Sequence, residues 1–359
     1  MGLKETAEKR LARGTAGKVL VILAMIGLTA LVVAHFTDAK TLWATLKSGD
    51  PFWIWIGVIV HVAFFAGYAL LYKLGFDAVE VESKTLQLLP VVMASIFVNA
   101  VIPSGGTAAA ALFIDDAARR RQSGTRAAVG VVLVLLADLI TLTPFILWGM
   151  AYLISVDQFK AYDLVGAIFF FSYIVLLIVA LAIAHRSNQR LLHFCHLIAR
   201  MVNALGTRFR RPHLLSDEWC EKTTDQMSKA SRAMVRRPRR LALMSAWAMV
   251  LHGINLYGLW ALVKAFGQAT PIGGLVAAFG MGIIFFVIAV IPEAVAIVEA
   301  VMTLVFSSVG MPVHAAITIT MVFRGVNFWL PLVVGIFTFG RIRRFGERDR
   351  ARTGEEQAA

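Results

Sequence analysis

Apolar residues run along this chain in long blocks, and several reach the ~20 residues a helix needs to cross the hydrocarbon core of a bilayer. Unbroken blocks occupy 19–36, Pro51 to about Leu71, 127–154, 164–184, 241–266 and 313–339, and each predicts a membrane helix. Two further blocks are interrupted. The first climbs from Leu86 to Ile102, breaks at Pro103-Ser104-Gly105-Gly106 and returns over Thr107 to Ile114. The second runs from Ile272 to Ile291, breaks at Pro292-Glu293 and returns from Ala294 to Val309. Proline lacks the helix donor and paired glycines favour non-helical backbone. Inside a membrane such a break is tolerated only where protein or a watery cavity covers it. At ~1.5 Å per residue the return arm, counted from Thr107 to the arginines that begin at Arg119, reaches across only about two thirds of a ~30 Å core. A re-entrant hairpin and a pair of full spans are both open readings.

The pattern predicts an all-α, polytopic helical membrane protein of about eight membrane helices with two broken or re-entrant helical hairpins. Composition agrees: of 359 residues, 58% are hydrophobic and 16% charged, with mean hydropathy +0.74, well outside the range of soluble domains. The net charge of +13 would suit nucleic acid, but lysine and arginine gather beside the apolar blocks, as the positive-inside rule expects. Nucleic acid is therefore not an expected partner. The charges divide the chain into a cytosolic basic tail (1–18), an N-terminal membrane half (19–184) holding the hairpin 86–118, a cytosolic basic loop (185–240), a C-terminal membrane half (241–340) holding the hairpin 272–309, and a cytosolic tail (341–359). A signal peptide would start similarly, but no small-residue cleavage site follows the first block. With both termini inside, the first hairpin opens to the cytosol and the second to the outside. An inverted-topology repeat would produce that arrangement.

Polar residues inside apolar blocks carry the functional signal, because burying an ion in a bilayer core costs several kcal/mol. Asp138, Glu293, Glu299 and Arg324 stand out. Glu299 follows Pro292 by seven residues on the same helical face, and Asn327 shares a face with Arg324. In the first hairpin Ser95, Asn99 and Pro103 form one stripe leading to the tip. His61 reads as a helix–helix hydrogen-bonding group, and His252 and Asn255 share one span. Arg324 stays protonated and needs a partner. One reading pairs it with Glu299 or Asp138 merely to fix helix packing. The other lets it hold an anionic headgroup while the carboxylates and free N–H groups at the Pro103–Thr107 break shape the site. The candidate substrate-binding set is thus Asn99, Pro103, Ser104, Gly105, Gly106, Thr107, Asp138, Glu293, Glu299, Arg324 and Asn327.

Other chemistry finds little support. His193, Cys195 and His196 match no common metal-ligand spacing, so no metal or cofactor is expected. Cys195 and Cys220 fall in the basic loop, where reduced thiols are the default. No nucleophile–base pair or phosphate-binding loop is visible, so neither an enzyme nor an ATP-driven pump is expected.

Two segments resemble a known family. Asn99-x-x-x-Pro103-Ser104-Gly105-Gly106 is similar to the broken-helix motif of the membrane region of bacterial lysylphosphatidylglycerol synthases and related stand-alone flippase-like proteins. The tail Pro292…Glu299…Gly310…Arg324-Gly-Val-Asn-Phe328-Trp329-Leu-Pro331…Gly335 resembles the second. That family usually shows P-G-G-x-G-x-x-E at the second break. Here Pro292 and Glu299 hold their spacing while Glu293, Ala294 and Ala296 stand at the glycine positions, so the resemblance leaves the shape of this tip open. It implies movement of an anionic or modified lipid between the leaflets of a bacterial inner membrane, with phosphate headgroups as partners. It does not imply lysyl transfer, since the sequence ends at Ala359 soon after the last span. The alternative function is a non-transporting membrane subunit that scaffolds or regulates a lipid-modifying or glycosyl-transferring enzyme, with loop 185–240 as its docking surface.

Overall fold

A computed structural model describes residues 49–101, 107–208, 216–288, Ala294 and 296–340. The expected helix at 19–36, both basic tails, Pro103, Ser104, Gly105, Gly106, Pro292 and Glu293 lie outside the described residues. Among the described residues the chain is helical with no strand. In order the helices are α1 (Pro51–Ala78), α2 (Thr85–Val101), α3 (Thr107–Arg119), α4 (Gly124–Ser155), α5 (Ala161–Arg186), α6 (Asn188–Arg208), α7 (Asp217–Arg236), α8 (Pro238–Ala265), α9 (Ile272–Ile288), α10 (Ile297–Ser308) and α11, which begins as Val313–Arg324. A π-helical turn, Gly325–Trp329, interrupts α11 before it continues to Gly340.

Local chemistry sets the helix starts. Asp50 accepts from the Phe52 N–H at 2.9 Å with Pro51 at the first helical position, where its missing donor costs nothing. Ser123 caps α4 by accepting from the Arg126 N–H, and Ser216 caps α7 by accepting from the Trp219 N–H. Helix α4 runs unbroken through Pro144.

Helices α1, α4, α5, α8 and α11 are long and apolar enough to cross a membrane, while α2, α9 and α10 are shorter apolar segments. The outward faces of α1 and α5 carry large exposed apolar side chains, including Trp55, Ile59, Val165, Ile168 and Phe169. In water such a belt would be costly; against lipid tails it is the natural surface. Inside, α4 and α8 contribute to both large cores: one they share with α1, α2 and α3, the other with α5, α9, α10 and α11. Small residues let the helices approach closely. A Cβ on Gly149 of α4 would meet the Ala277 Cα of α9 at 2.7 Å, and one on Gly335 of α11 would strike the backbone carbonyl of Met93 in α2.

The two ends of the bundle differ in charge. At one end, arginines clamp the turn between α1 and α2. Arg120 donates to the Glu82 carbonyl at 2.6 Å, Arg240 to the Asp77 carbonyl, and Arg126 and Arg237 hold the Glu80 carboxylate. At the other end the Asp50 N–H donates to the Ala265 carbonyl, Trp53 meets Trp260 edge-on, and charges are few. The open side of hairpin α2–α3 lies at the basic end, through the Arg120–Glu82 bond. The open side of hairpin α9–α10 lies at the opposite end, where Gly274 packs on Val309 and Gly273 on Tyr152. The two hairpins thus enter the bundle from opposite ends, as the charge pattern predicted. The basic segment forms α6 and α7, which pack on the flank of α4 and α5 through Leu191, Met227, Val132 and Leu177.

Candidate functional site

Three features of the second hairpin and the last helix place the central ion pair. First, α10 starts in the interior of the bundle, and Glu299 sits in its first turn, where the helix dipole favours a carboxylate. Second, the backbone just before it turns through positive φ at Ala294 (49°) and Ala296 (72°). These are two of the positions where the resembled motif has glycine. The glycine-like backbone is kept although alanine pays for it, at roughly 1 kcal/mol or more per residue. Third, α11 widens into the π turn directly after Arg324. Pro331 has no N–H to donate back into this stretch, and Leu330 bonds the Gly325 carbonyl in the wider register. Such single π turns relieve a disrupted ladder and often mark functional positions.

The result is a bond from Arg324 Nε to Glu299 Oε1 at 2.8 Å, with both side chains almost wholly buried. The guanidinium carbon also lies 4.6 Å from the centre of the Phe328 ring, a favourable cation–π distance. The second carboxylate oxygen of Glu299 is buried and has no hydrogen-bond partner among the described residues. Buried polar atoms ordinarily find partners, so the site has spare polar capacity.

Of the two sequence-level partners for Arg324, geometry selects Glu299. Asp138, on α4, instead faces His252 of α8. His252 Nε2 lies 3.6 Å from the Asp138 carboxylate and 3.1 Å from the Asp138 carbonyl oxygen.

Arg324 of the first pair and both members of the second border one cavity of ≈ 230 Å³. Arg324, Asn327 and Phe328 supply one wall; Asp138, His252 and Asn255 the facing polar groups. The first hairpin contributes Ile96 and the second contributes Phe279, Gly282, Val298 and Met302, while Phe64 and Tyr68 come from α1. Both broken elements therefore reach a single polar niche in an otherwise apolar interior.

Of the expected site residues, Asp138, Arg324 and Asn327 line this cavity and Glu299 is bonded to its wall. Asn99 and Thr107 do not line it: Asn99 is half-buried one turn beyond Ile96, and Thr107 is exposed at the start of α3. The register of α2 turns Ile96, not the Ser95–Asn99 stripe, toward the cavity, and the Ser95 hydroxyl bonds its own helix at the Val92 carbonyl. Pro103, Ser104, Gly105, Gly106 and Glu293 lie outside the described residues. His61 links two helices, as expected: its Nδ1 pairs with the Gly57 carbonyl of its own helix at 2.7 Å, while the ring meets the Asn255 side chain of α8 and packs on Gly258. His252 and Asn255 belong to the site although the sequence reading left them outside. Their spacing on one helical face of a membrane span was the available signal.

In the basic segment, Cys195 and Cys220 are free thiols in mutual hydrogen-bond contact, and His196 lies 3.1 Å from Asp217. Burial, with Cys220 beside it, pushes the Cys195 thiol up to about 12.

Lipid-facing apolar helices, oppositely inserted hairpins and a buried charged cavity define a multi-pass membrane protein. The chain belongs to the family described as the lysylphosphatidylglycerol synthase TM region, whose model matches residues 16–335. It is similar to a UPF0104 membrane protein of Pyrococcus horikoshii, with 19% identity over 320 residues covering 88% of this chain and 94% of that one.

Proposed function

We propose that this protein is a lipid translocase that moves an anionic or modified lipid between the leaflets of a bacterial inner membrane, without catalysing a covalent reaction. The observation that carries the reading is the cavity shared by both hairpins, with a buried guanidinium in its wall. Pockets for whole drug-sized ligands run about 300–1,000 Å³. A niche of ≈ 230 Å³ suits a headgroup whose tails remain outside among lipid. Arg324 offers a planar fork suited to phosphate. Asp138 with His252, and the unpartnered oxygen of Glu299, offer partners for glycerol hydroxyls or a headgroup amine.

The hairpin arms support an alternating path. Helix α10 has 12 residues, about 18 Å at helical rise, well short of a ~30 Å core. In this proposal both hairpins are re-entrant, the basic end and both termini face the cytosol, and each hairpin gates the cavity from its own side. Family membership and the opposed hairpin entry support that picture.

The test uses liposomes reconstituted with the full chain and a fluorescent headgroup-labelled phosphatidylglycerol, with dithionite quenching from outside. Transport predicts quenching beyond the half reached in protein-free vesicles. Asp138→Asn, which leaves the Arg324 pair intact, should slow it at least tenfold. Wild-type traces equal to those of empty vesicles would refute translocation and leave the scaffold reading.

A further inference from the structure

A second cavity, of ≈ 610 Å³, lies at the basic end where α1 ends, α4 begins and α7 runs past them. Five cations border it: Arg126 from α4, Lys229, Arg232 and Arg236 from α7, and Arg237 from the link to α8. They come from segments about a hundred residues apart, so the fold, not local sequence, gathers them. Two carboxylates answer them. Glu80 is held between Arg126 at 3.7 Å and Arg237, and takes a positive φ of 59° to do so. Asp225 pairs with Lys229 at 2.6 Å. Arg232 and Arg236 make no ion pair among the described residues. A solvated basic face would spread its charges outward. Here like charges from two separate segments converge on one solvent-open concavity, where an anion would relieve their mutual repulsion beyond what Glu80, Asp225 and water supply. The Ser123 and Thr125 side chains complete the wall with hydroxyl groups.

We infer that this basal cavity is a binding site for a phosphate-bearing anion, distinct from the central niche. Arginine matches phosphate through paired N–H donors. The cavity lies beside the ends of α1 and α4, two helices long and apolar enough to cross a membrane, and a lipid headgroup and a free phosphate share the chemistry it would recognise. The site stands whether or not the central cavity transports lipid.

The experiment titrates the full chain, in neutral maltoside micelles at about 0.1 M salt, with dihexanoyl-phosphatidylglycerol in one arm and inorganic phosphate in the other, by calorimetry. The double variant Arg232→Ala/Arg236→Ala should weaken binding at least tenfold, while Arg232→Lys/Arg236→Lys keeps most of it. The charge-matched double variant Lys222→Ala/Arg239→Ala removes two exposed cations that do not border the cavity and should change binding less than threefold. Tighter binding of the short-chain lipid assigns the site to a headgroup, and equal or tighter binding of inorganic phosphate assigns it to the free anion. The inference is overturned if neither probe binds the wild type, or if both alanine pairs weaken binding equally. Matching thermal midpoints for the variants exclude misfolding as the cause.

Discussion

The sharpest question about the central site is whether Arg324 and Glu299 only hold helices together or also act on a ligand. Removing one partner and removing both answer it differently. The pair is bonded at 2.8 Å with side chains 7% and 5% exposed. Replacing Arg324 by Met strands a buried carboxylate, and replacing Glu299 by Leu takes from a buried guanidinium the carboxylate it is bonded to. Either should cost about 3–5 kcal/mol. The double variant Glu299→Leu/Arg324→Met leaves no stranded charge and fills a similar volume. Such replacements of buried pairs are often neutral or stabilising, so at least ~3 kcal/mol should return relative to either single variant. For scale, the exposed Arg126–Glu80 contact at 3.7 Å is worth at most about 1 kcal/mol. Thermal unfolding in detergent gives the stabilities, and dithionite quenching in liposomes gives lipid transfer. If Arg324 holds a headgroup, the double variant folds but does not transfer lipid. A double variant that is stable and transfers lipid at the wild-type rate would refute the ligand role and reduce the pair to packing.

Two further predictions rest on single positions. Ala296→Gly should stabilise the protein by about 0.5–1 kcal/mol, because relief of the strain at φ 72° exceeds the entropy lost by an added glycine; an unchanged or lower thermal midpoint would mean that the tip backbone is different. Cys195, with its thiol pushed up to about 12 from an ordinary 9.0, should react with maleimide far more slowly than a free peptide thiol at pH 7.5. Keeping that thiol protonated stabilises the fold fully below pH 9 and progressively less as pH rises toward 12, so the reaction should accelerate steeply in that window, and fast labelling at pH 7.5 would contradict the buried contact with Cys220.

The hydropathy blocks located α4, α5, α8 and α11 within about three residues, and the start of α1, which runs on past Leu71 to Ala78, because bilayer crossing imposes length and composition on each helix by itself. The opposed entry of the hairpins was legible for a similar reason: loop charge is a local record of which end a segment faces. The cavity was legible only in part. Asp138, Glu299 and Arg324 announced themselves as ions in apolar surroundings, but the choice of Glu299 over Asp138 as the partner of Arg324 depends on where α10 begins and how the π turn rotates α11. Rotation about a helix axis is set by packing against neighbours, which periodicity in a uniformly apolar helix does not report. That is also why Ile96, and not the candidate Asn99, lines the cavity. The basal cavity was invisible for another reason, since its cations come from separate stretches of sequence that meet only after α7 folds back along α4.

The second tip shows how a site can keep its geometry while its motif changes. Glycine at a break removes the steric cost of positive φ, but the position itself is required by what the chain must do next. Here α10 must begin inside the bundle and present Glu299 to Arg324 in its first turn. Ala294 and Ala296 take φ of 49° and 72°, so the bond at 2.8 Å and the surrounding contacts must over-determine that backbone. Ala294 is almost completely buried, and Val298 and Met302 behind it are core residues. The strain is therefore anchored by apolar burial on one side and by an ion pair on the other. Loss of the pair should loosen the tip as well as the charge, and glycine at 296 should matter less in an Arg324 variant, whose tip has already relaxed, than in the wild type. That coupling, read as non-additivity between Ala296→Gly and Arg324→Met in a double-mutant cycle, distinguishes a tip held by the ion pair from one held by packing alone, for which the two changes would add.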